Sequence, residues 1–276
     1  MTSDRKVALV TGASRGVGKS AAVCLARAGF DVAVAARTLT EGTGSDVAHD
    51  GTVRPLPGSV ASTAELVRAE GTRALQVAMD LADPASVASA ARQIMDEWGH
   101  VDVLVNNAIY TGQGAQARVL NVAMDDLREE LEVDVMGPLS LVSALVPAMV
   151  ERGGGTVLNV TSAVAYIDPT VMGSYGVGYA VGKAALFKVA GILAVELGDR
   201  GIRSYNVHPG FIATERMALH EADQEGLDLT KAAPPEVCGS VVAWLADDPS
   251  DPPPNGALVE SQELCARLGL VPGWPR

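Results

Sequence analysis

Apolar and polar positions change their period repeatedly along this chain. Lys6–Thr11 (KVALVT) is a short continuous apolar run, the pattern of a strand covered on both faces. A glycine-rich segment, Gly12–Gly18, interrupts it. From Gly16 to Ala28 apolar residues recur at helical spacing (Val17, Ala21, Cys24, Leu25, Ala28), until Gly29 ends the run. Asp31–Ala36 predicts a second buried strand. Farther on, the pattern predicts a helix at Thr63–Glu70, a strand at Ala74–Met79 and a helix from Asp83 to Trp98. Asp83 is the expected N-cap of that helix and Pro84 its first residue. Val101–Val105 reads as a fourth strand, and Met124–Arg152 as a long helix interrupted near Gly137-Pro138. Thr156–Val160 is a fifth strand, Tyr175–Leu197 a helix, Ile202–Val207 a sixth strand, Val237–Ala246 a helix and Ala257–Val259 a short seventh strand.

Residues 40–59 are rich in Gly, Pro, Ser and Asp without periodicity, which predicts a surface insertion. Strands alternating with helices along the whole length imply an α/β chain with a parallel sheet. The expected fold is a Rossmann-type doubly wound sheet of about seven strands with helices on both faces. No internal boundary or repeat is visible, so residues 1–276 read as a single domain. A segment at about 211–233 looks like a substrate lid, with Met217, Leu219 and Leu227 among many acids.

Composition narrows the functional classes. The 276 residues are 48% hydrophobic and 20% charged, as in a globular protein. A net charge of −12 argues against nucleic-acid or anionic-membrane partners. The three cysteines, Cys24, Cys238 and Cys265, fit neither a disulfide nor a zinc pattern, and the four histidines have no metal-ligand spacing, so no metal is expected. The N-terminus lacks a signal-peptide pattern. The longest apolar stretch, around Leu139–Val150, is broken by Ser143 and Pro147 and reads as too short to span a bilayer. The expected location is the cytoplasm.

A strand, a glycine turn and a helix make a phosphate cradle: glycines let the backbone approach an anion, and the helix N-terminus offers N–H groups. Gly18-Lys19-Ser20 resembles the end of a P-loop, but Ala13 stands at that motif's first glycine position. A TGxxxGxG dinucleotide loop fits better, with Gly12, Ser14, Arg15, Gly16, Val17 and Gly18 facing the cofactor. After the second strand, Ala36 occupies the place where an acid would bind the ribose of NAD. Arg37, Thr38, Arg15 and Ser14 instead suit a 2′-phosphate, so NADP(H) is expected over NAD(H). Tyr179 and Lys183 lie four apart and share one helix face. A nearby ammonium stabilises phenolate, so such a pair suits proton delivery to a carbonyl, although a solvated Tyr and Lys would show the same spacing.

The motifs TGASRGVG, NNA, Ser162, YAVGK and NVHPGFIAT stand in the order found in the short-chain dehydrogenase/reductase family, which the chain resembles over roughly Lys6–Thr214. The LPGS segment and the helix after it are similar to the hydroxysteroid-dehydrogenase-like branch. The resemblance implies an NADP(H)-dependent oxidoreductase interconverting a ketone or aldehyde and an alcohol. Tyr179 would be its general acid/base, Lys183 would lower the pKa of Tyr179 and bind the nicotinamide ribose, and Ser162 would donate to the substrate oxygen. Asp80 and Leu81 would flank the adenine, Asn107 and Ala108 would line the cofactor channel, and Pro209, Gly210, Ile212 and Thr214 would hold the nicotinamide. Asp134 stands where the family has an asparagine that supports a proton relay, and Ile109 where it has glycine. Helices around 124–152 and 175–197 would pair across subunits, giving a homodimer or homotetramer. The rival readings are a non-catalytic NADP(H)-binding sensor, an NAD-linked dehydrogenase, and an epimerase or dehydratase using the same tyrosine.

Overall fold

The computed structural model describes residues 5–47, 52–112, 114–172, 175–220 and 228–275. Residues 48–51, 113, 173–174 and 221–227, which include part of the expected insertion and Leu227 of the expected lid, lie outside the described residues.

Strands β1 (Val7–Thr11) and β2 (Asp31–Ala36) are buried at every position, which is why each reads as a continuous apolar run rather than an alternating one. Helix α1 (Gly16–Arg27) crosses between them. Residues 40–59 are not purely irregular: they hold a small antiparallel hairpin, β3 (Ser45–Val47) against β4 (Val53–Pro55). At three residues a strand, it is too short for a period-two pattern to register. Helix α2 (Val60–Ala69) starts three residues earlier than its apolar spacing predicts. Ser59 caps it, accepting from Ser62 N while the Ser62 hydroxyl accepts from Ser59 N.

Next come β5 (Ala74–Ala78), α3 (Pro84–Trp98), β6 (Val103–Asn106) and α4 (Met124–Leu131). Asp83 caps α3 as expected, its carboxylate accepting from Ala85 N at 2.9 Å. Helix α4 continues through a π-helical turn, Glu132–Met136, into α5 (Gly137–Glu151). The predicted break at Gly137-Pro138 is therefore a widened turn just before it. Pro138 lacks an N–H and so leaves the carbonyl four residues back without its α-helical donor, and the π turn absorbs the mismatch. As a result Met124–Glu151 is long and apolar enough to cross a membrane by length and composition, contrary to the sequence expectation. In this fold Leu141, Leu145, Val146 and Met149 of α5 are instead buried in the core.

The chain ends with β7 (Gly155–Val160), α6 (Pro169–Met172), α7 (Val177–Leu197), β8 (Ile202–His208), α8 (Glu215–His220), α9 (Pro235–Ala246), β9 (Leu258–Glu260) and α10 (Ser261–Leu268). Seven strands form one parallel sheet in the order β5-β2-β1-β6-β7-β8-β9. One face is covered by α1, α2, α9 and α10 around Leu25, Phe30, Val241 and Leu245, the other by α3, α5 and α7 around Ile94, Leu104, Leu145 and Leu186. Strand order reverses between β1 and β6, so a crevice opens beyond their carboxyl ends.

Candidate active site

At that reversal, Thr11 ties the two strand ends together. Its Oγ1 donates to Val105 O at 3.3 Å and accepts from the backbone N–H groups of Asn107 (2.9 Å) and Ala108 (3.0 Å). Asn107 Nδ2 returns the tie to Thr11 O at 2.8 Å and Gly12 O at 3.3 Å. The Asn107 side chain therefore fills the space behind the glycine loop. A Cβ on Gly18 would stand 2.4 Å from both Asn107 Nδ2 and Gly12 O, and one on Gly12, whose φ is +64°, would stand 2.8 Å from Ala108 Cα. No other residue type fits either position.

The N-terminus of α1 already holds an anion. Gly16 N donates to Glu215 Oε2 at 2.8 Å, and Lys19 pairs with Glu215 Oε1. Burial alone would raise the Glu215 pKa, but Lys19 and the backbone N–H groups offset it and leave the carboxyl below its ordinary value. Dipole, N–H groups and ammonium thus fit a phosphate, the group such a loop is built to receive.

Arg15, expected with Arg37, Ser14 and Thr38 to suit a 2′-phosphate, is engaged by carbonyls of the inserted segment. Its Nε donates to Pro57 O and its Nη2 to Gly58 O, both at 2.8 Å, so it pins the inserted segment against the loop. Arg37 is exposed at the end of β2, with Nη2 3.4 Å from Thr111 Oγ1. Thr38 is half-buried beside it, Ser14 is buried, and Val17 packs on the core. At the end of β5, Asp80 Oδ1 accepts from Ala82 N at 3.0 Å, and Leu81 is buried against Gly137.

Beyond β8, Pro209 O and Phe211 O both accept from Gln262 Nε2. The loop holding Gly210, Ile212 and Thr214 is thus fastened by the first turn of α10. A Cβ on Gly16 would lie 3.3 Å from Thr214 Cγ2, so this loop closes onto the glycine loop.

Helix α7 brings Tyr179 into hydrogen-bond contact with Ser162, just past the end of β7, and Lys183 follows one turn on. Side chains of the sheet anchor the helix: Asn159 Nδ2 donates to Leu186 O, and Asn206 Nδ2 to Phe187 O. Lys183 is buried, donates to Val160 O at 2.8 Å and lies 5.9 Å from the Tyr179 ring centre. Asp134, in the π turn, accepts from Tyr110 N at 2.7 Å. Its burial raises its pKa against the opposing pull of Lys183 and the Tyr110 N–H.

In one respect the electrostatics differ from the sequence expectation, which had Lys183 lowering the tyrosine pKa. Burial raises it, the Ser162 hydroxyl opposes that rise, and Asp134 adds to it. The Lys183 pKa is itself lowered by burial, with Asp134 opposing. For both groups, desolvation is the largest cause.

Sequence reasoning missed Thr11, whose role follows from the TG step that opens the loop, and Glu215, one residue past Thr214. It also missed a polar cluster of Tyr166, His208 and Glu260, in which Tyr166 Oη donates to Glu260 Oε1 at 2.7 Å and His208 Nδ1 lies 2.6 Å from Glu260 Oε2. Nothing in the spacing links Tyr166 and His208 to residue 260.

The family model described as enoyl-(acyl carrier protein) reductase matches residues 12–251. A 3-oxoacyl-[acyl-carrier-protein] reductase from a Synechocystis species is 30% identical, over 96% of this chain and 97% of its own length. The chain belongs to the short-chain dehydrogenase/reductase family. An L-rhamnose 1-dehydrogenase (NAD(P)(+)) from a Sphingomonas species is 32% identical, over 88% of this chain and 89% of its own. The crystal structure of an L-sorbose reductase from Gluconobacter frateurii, complexed with NADPH and L-sorbose, superimposes with a TM-score of 0.74 at 26% identity and covers 95% of this chain and 97% of that one. This dehydrogenase/reductase is an oxidoreductase acting on CH–OH groups, of a family that uses NAD(P).

Proposed function

We propose that this chain is an NADP(H)-dependent oxidoreductase that interconverts a ketone or aldehyde and an alcohol. The observation that carries the reading is the convergence of Ser162, Tyr179 and buried Lys183 beside a glycine loop whose helix end already accepts a carboxylate. When bound, the nicotinamide supplies hydride to the substrate carbon or takes it up. Ser162 donates to the substrate oxygen where negative charge develops. Tyr179 gives its proton to that oxygen in reduction and takes one back in oxidation. A phenol pKa raised by burial keeps the proton in place until the alkoxide forms. Lys183, fixed by Val160 O, supplies the positive charge that the phenolate then needs. Gly12, Gly16 and Gly18 would admit the pyrophosphate in place of the Glu215 carboxylate, with Asn107, Ala108, Asp80 and Leu81 along the adenosine side. Pro209, Gly210, Ile212 and Thr214 would hold the nicotinamide.

Exposed Arg37, beside Thr38, supports the choice of NADP(H), and Arg15 contributes by fixing the insertion rather than as a free second guanidinium. The α8 helix supports the lid reading: Arg216 Nε bonds Asp46 Oδ2 at 2.6 Å and Arg54 Nη1 bonds Leu219 O at 3.2 Å, which latches the 211–220 part of the lid to the hairpin. Exposed Val181, Ile192 and Val195 on α7 support a homo-oligomer, and three buried free cysteines suit a reducing cytoplasm.

Titration of intrinsic fluorescence with NADPH and with NADH tests the reading. NADPH should bind more tightly, and Arg37→Ala should weaken NADPH by about 10- to 100-fold, the worth of a charged hydrogen bond, while sparing NADH. Tighter NADH would overturn the NADP assignment. Tyr179→Phe should bind cofactor normally and lose about 100-fold or more in kcat with any carbonyl the wild type reduces.

A further inference from the structure

Helix α4 carries a buried acid that the proposed chemistry does not use. Glu130 is 1% exposed and Asp134, one turn on, is 2% exposed. Both face α7, at positions where that helix has no side chains. A Cβ on Gly178 would stand 1.7 Å from Glu130 Oε2, and one on Gly182 would stand 3.0 Å from Asp134 Cβ and 3.3 Å from its Oδ2. Gly178 and Gly182 directly precede Tyr179 and Lys183. Two carboxyls four apart on one helix thus sit in two notches four apart on the next, behind the tyrosine and the lysine. Each has a buried oxygen, Glu130 Oε1 and Asp134 Oδ2, with no hydrogen-bond partner among the described residues.

Two buried carboxylates, each with an unsatisfied oxygen, cannot both stay charged beside a single ammonium in so dry a place, because each costs desolvation and repels the other. We propose that Glu130 and Asp134 form a coupled carboxyl pair that retains one proton near neutrality, and that Glu130 is thereby a positioning residue setting the ionisation of Tyr179. With the pair singly charged, Lys183 balances it. Loss of the second proton leaves a net negative pocket, which disfavours phenolate and holds the proton on Tyr179.

The electrostatics of the neighbours agree. Burial and then Asp134 push the Glu130 carboxyl up to about 7, and both Asp134 and Glu130 raise the Tyr179 phenol. Among the described residues, the other charged and titratable groups acting on this cluster are Lys183 from α7, Tyr110 from the loop after β6, and Arg216 from α8, which acts on Tyr179 in the opposite sense; Asp126 and Glu129 from α4 act, with Glu130, on the Tyr110 phenol.

This inference deepens the oxidoreductase reading and rests on it for its consequence, but its test does not need turnover. Infrared spectra of the wild type between pH 5 and pH 9 should show a buried protonated-carboxyl C=O band that disappears through about pH 7 and is missing in Glu130→Gln. The tyrosinate ultraviolet band of Tyr179, taken as wild type minus Tyr179→Phe, should titrate about one pH unit lower in Glu130→Gln, and Asp134→Asn should shift it in the same direction. Absence of the carboxyl band from the wild type would overturn the shared proton. A Tyr179 titration unmoved by Glu130→Gln, or by Asp134→Asn should the first variant not fold, would overturn the positioning role. If no carbonyl compound is turned over, the oxidoreductase reading fails, while these two spectra still decide the carboxyl pair.

Discussion

At the scale of single residues, the site is governed by what burial does to charge. Tyr179, Lys183, Asp134 and Glu130 all titrate away from their ordinary values, and for all four desolvation is the largest cause. Glu130 gives the clearest consequence for stability. Its folded pKa of about 7 lies above the unfolded value of about 4.3, so the folded chain binds the extra proton between those two pH values. Stability therefore falls as pH rises through that window and levels off above about 7. Thermal unfolding should show Glu130→Gln more stable than wild type at pH 8, by on the order of 1 kcal/mol, with the difference shrinking toward pH 4. An equal difference at both ends of the range would exclude this account. Glu130 was invisible in the sequence because LREELE is an acidic helical turn that reads as a solvated face. Only packing against Gly178 reveals it as buried.

At the scale of elements, start signals were legible where they are chemical and missed where they are reciprocal. Asp83-Pro84 announces α3 because one residue caps the helix and the next cannot sit inside it. The Ser59/Ser62 box that starts α2 lies at the end of a serine- and glycine-rich stretch with no periodicity to mark a helix start. Ser59 is fully buried, and its hydroxyl accepts from the Ser62 N–H at the start of the helix. Ser59→Ala should lower stability by about 1 kcal/mol in denaturant unfolding. Because Gly58 O receives Arg15, the loss should be accompanied by weaker dinucleotide binding. The helix from Met124 to Glu151 shows the opposite limit. Gly137-Pro138 correctly marks a disturbance, but its form, a π turn that carries Asp134 to the Tyr110 N–H, depends on what α7 and the β6 loop present to it.

For the whole molecule, the parallel sheet places every chemical motif at one edge, because each strand delivers its carboxyl end there. Helix α7 has two faces with different fates. Lys183, Leu186, Ala190 and Leu193 are buried, whereas Ile192 and Val195 are more than half exposed. An apolar outer face of that kind is expected to pack against a second copy of the chain. Replacing Ile192 and Val195 together by Asp should shift the molecular mass measured by light scattering toward the monomer while leaving the circular dichroism spectrum unchanged. A wild type that is already monomeric would exclude the proposed oligomer.

The sequence by itself determined the alternation of strands and helices, and so the doubly wound sheet, because apolar runs and helical spacing report burial locally. It also located the glycine loop and the Tyr179–Lys183 step, since each lies within a few consecutive residues. Tertiary structure alone decided which charges meet: Arg15 on Pro57 and Gly58 carbonyls, Glu215 on the α1 N-terminus, and Glu130 in the notch at Gly178. These partners are separated by tens to hundreds of residues. Sequence periodicity records only whether a side chain is buried, and not what it is buried against.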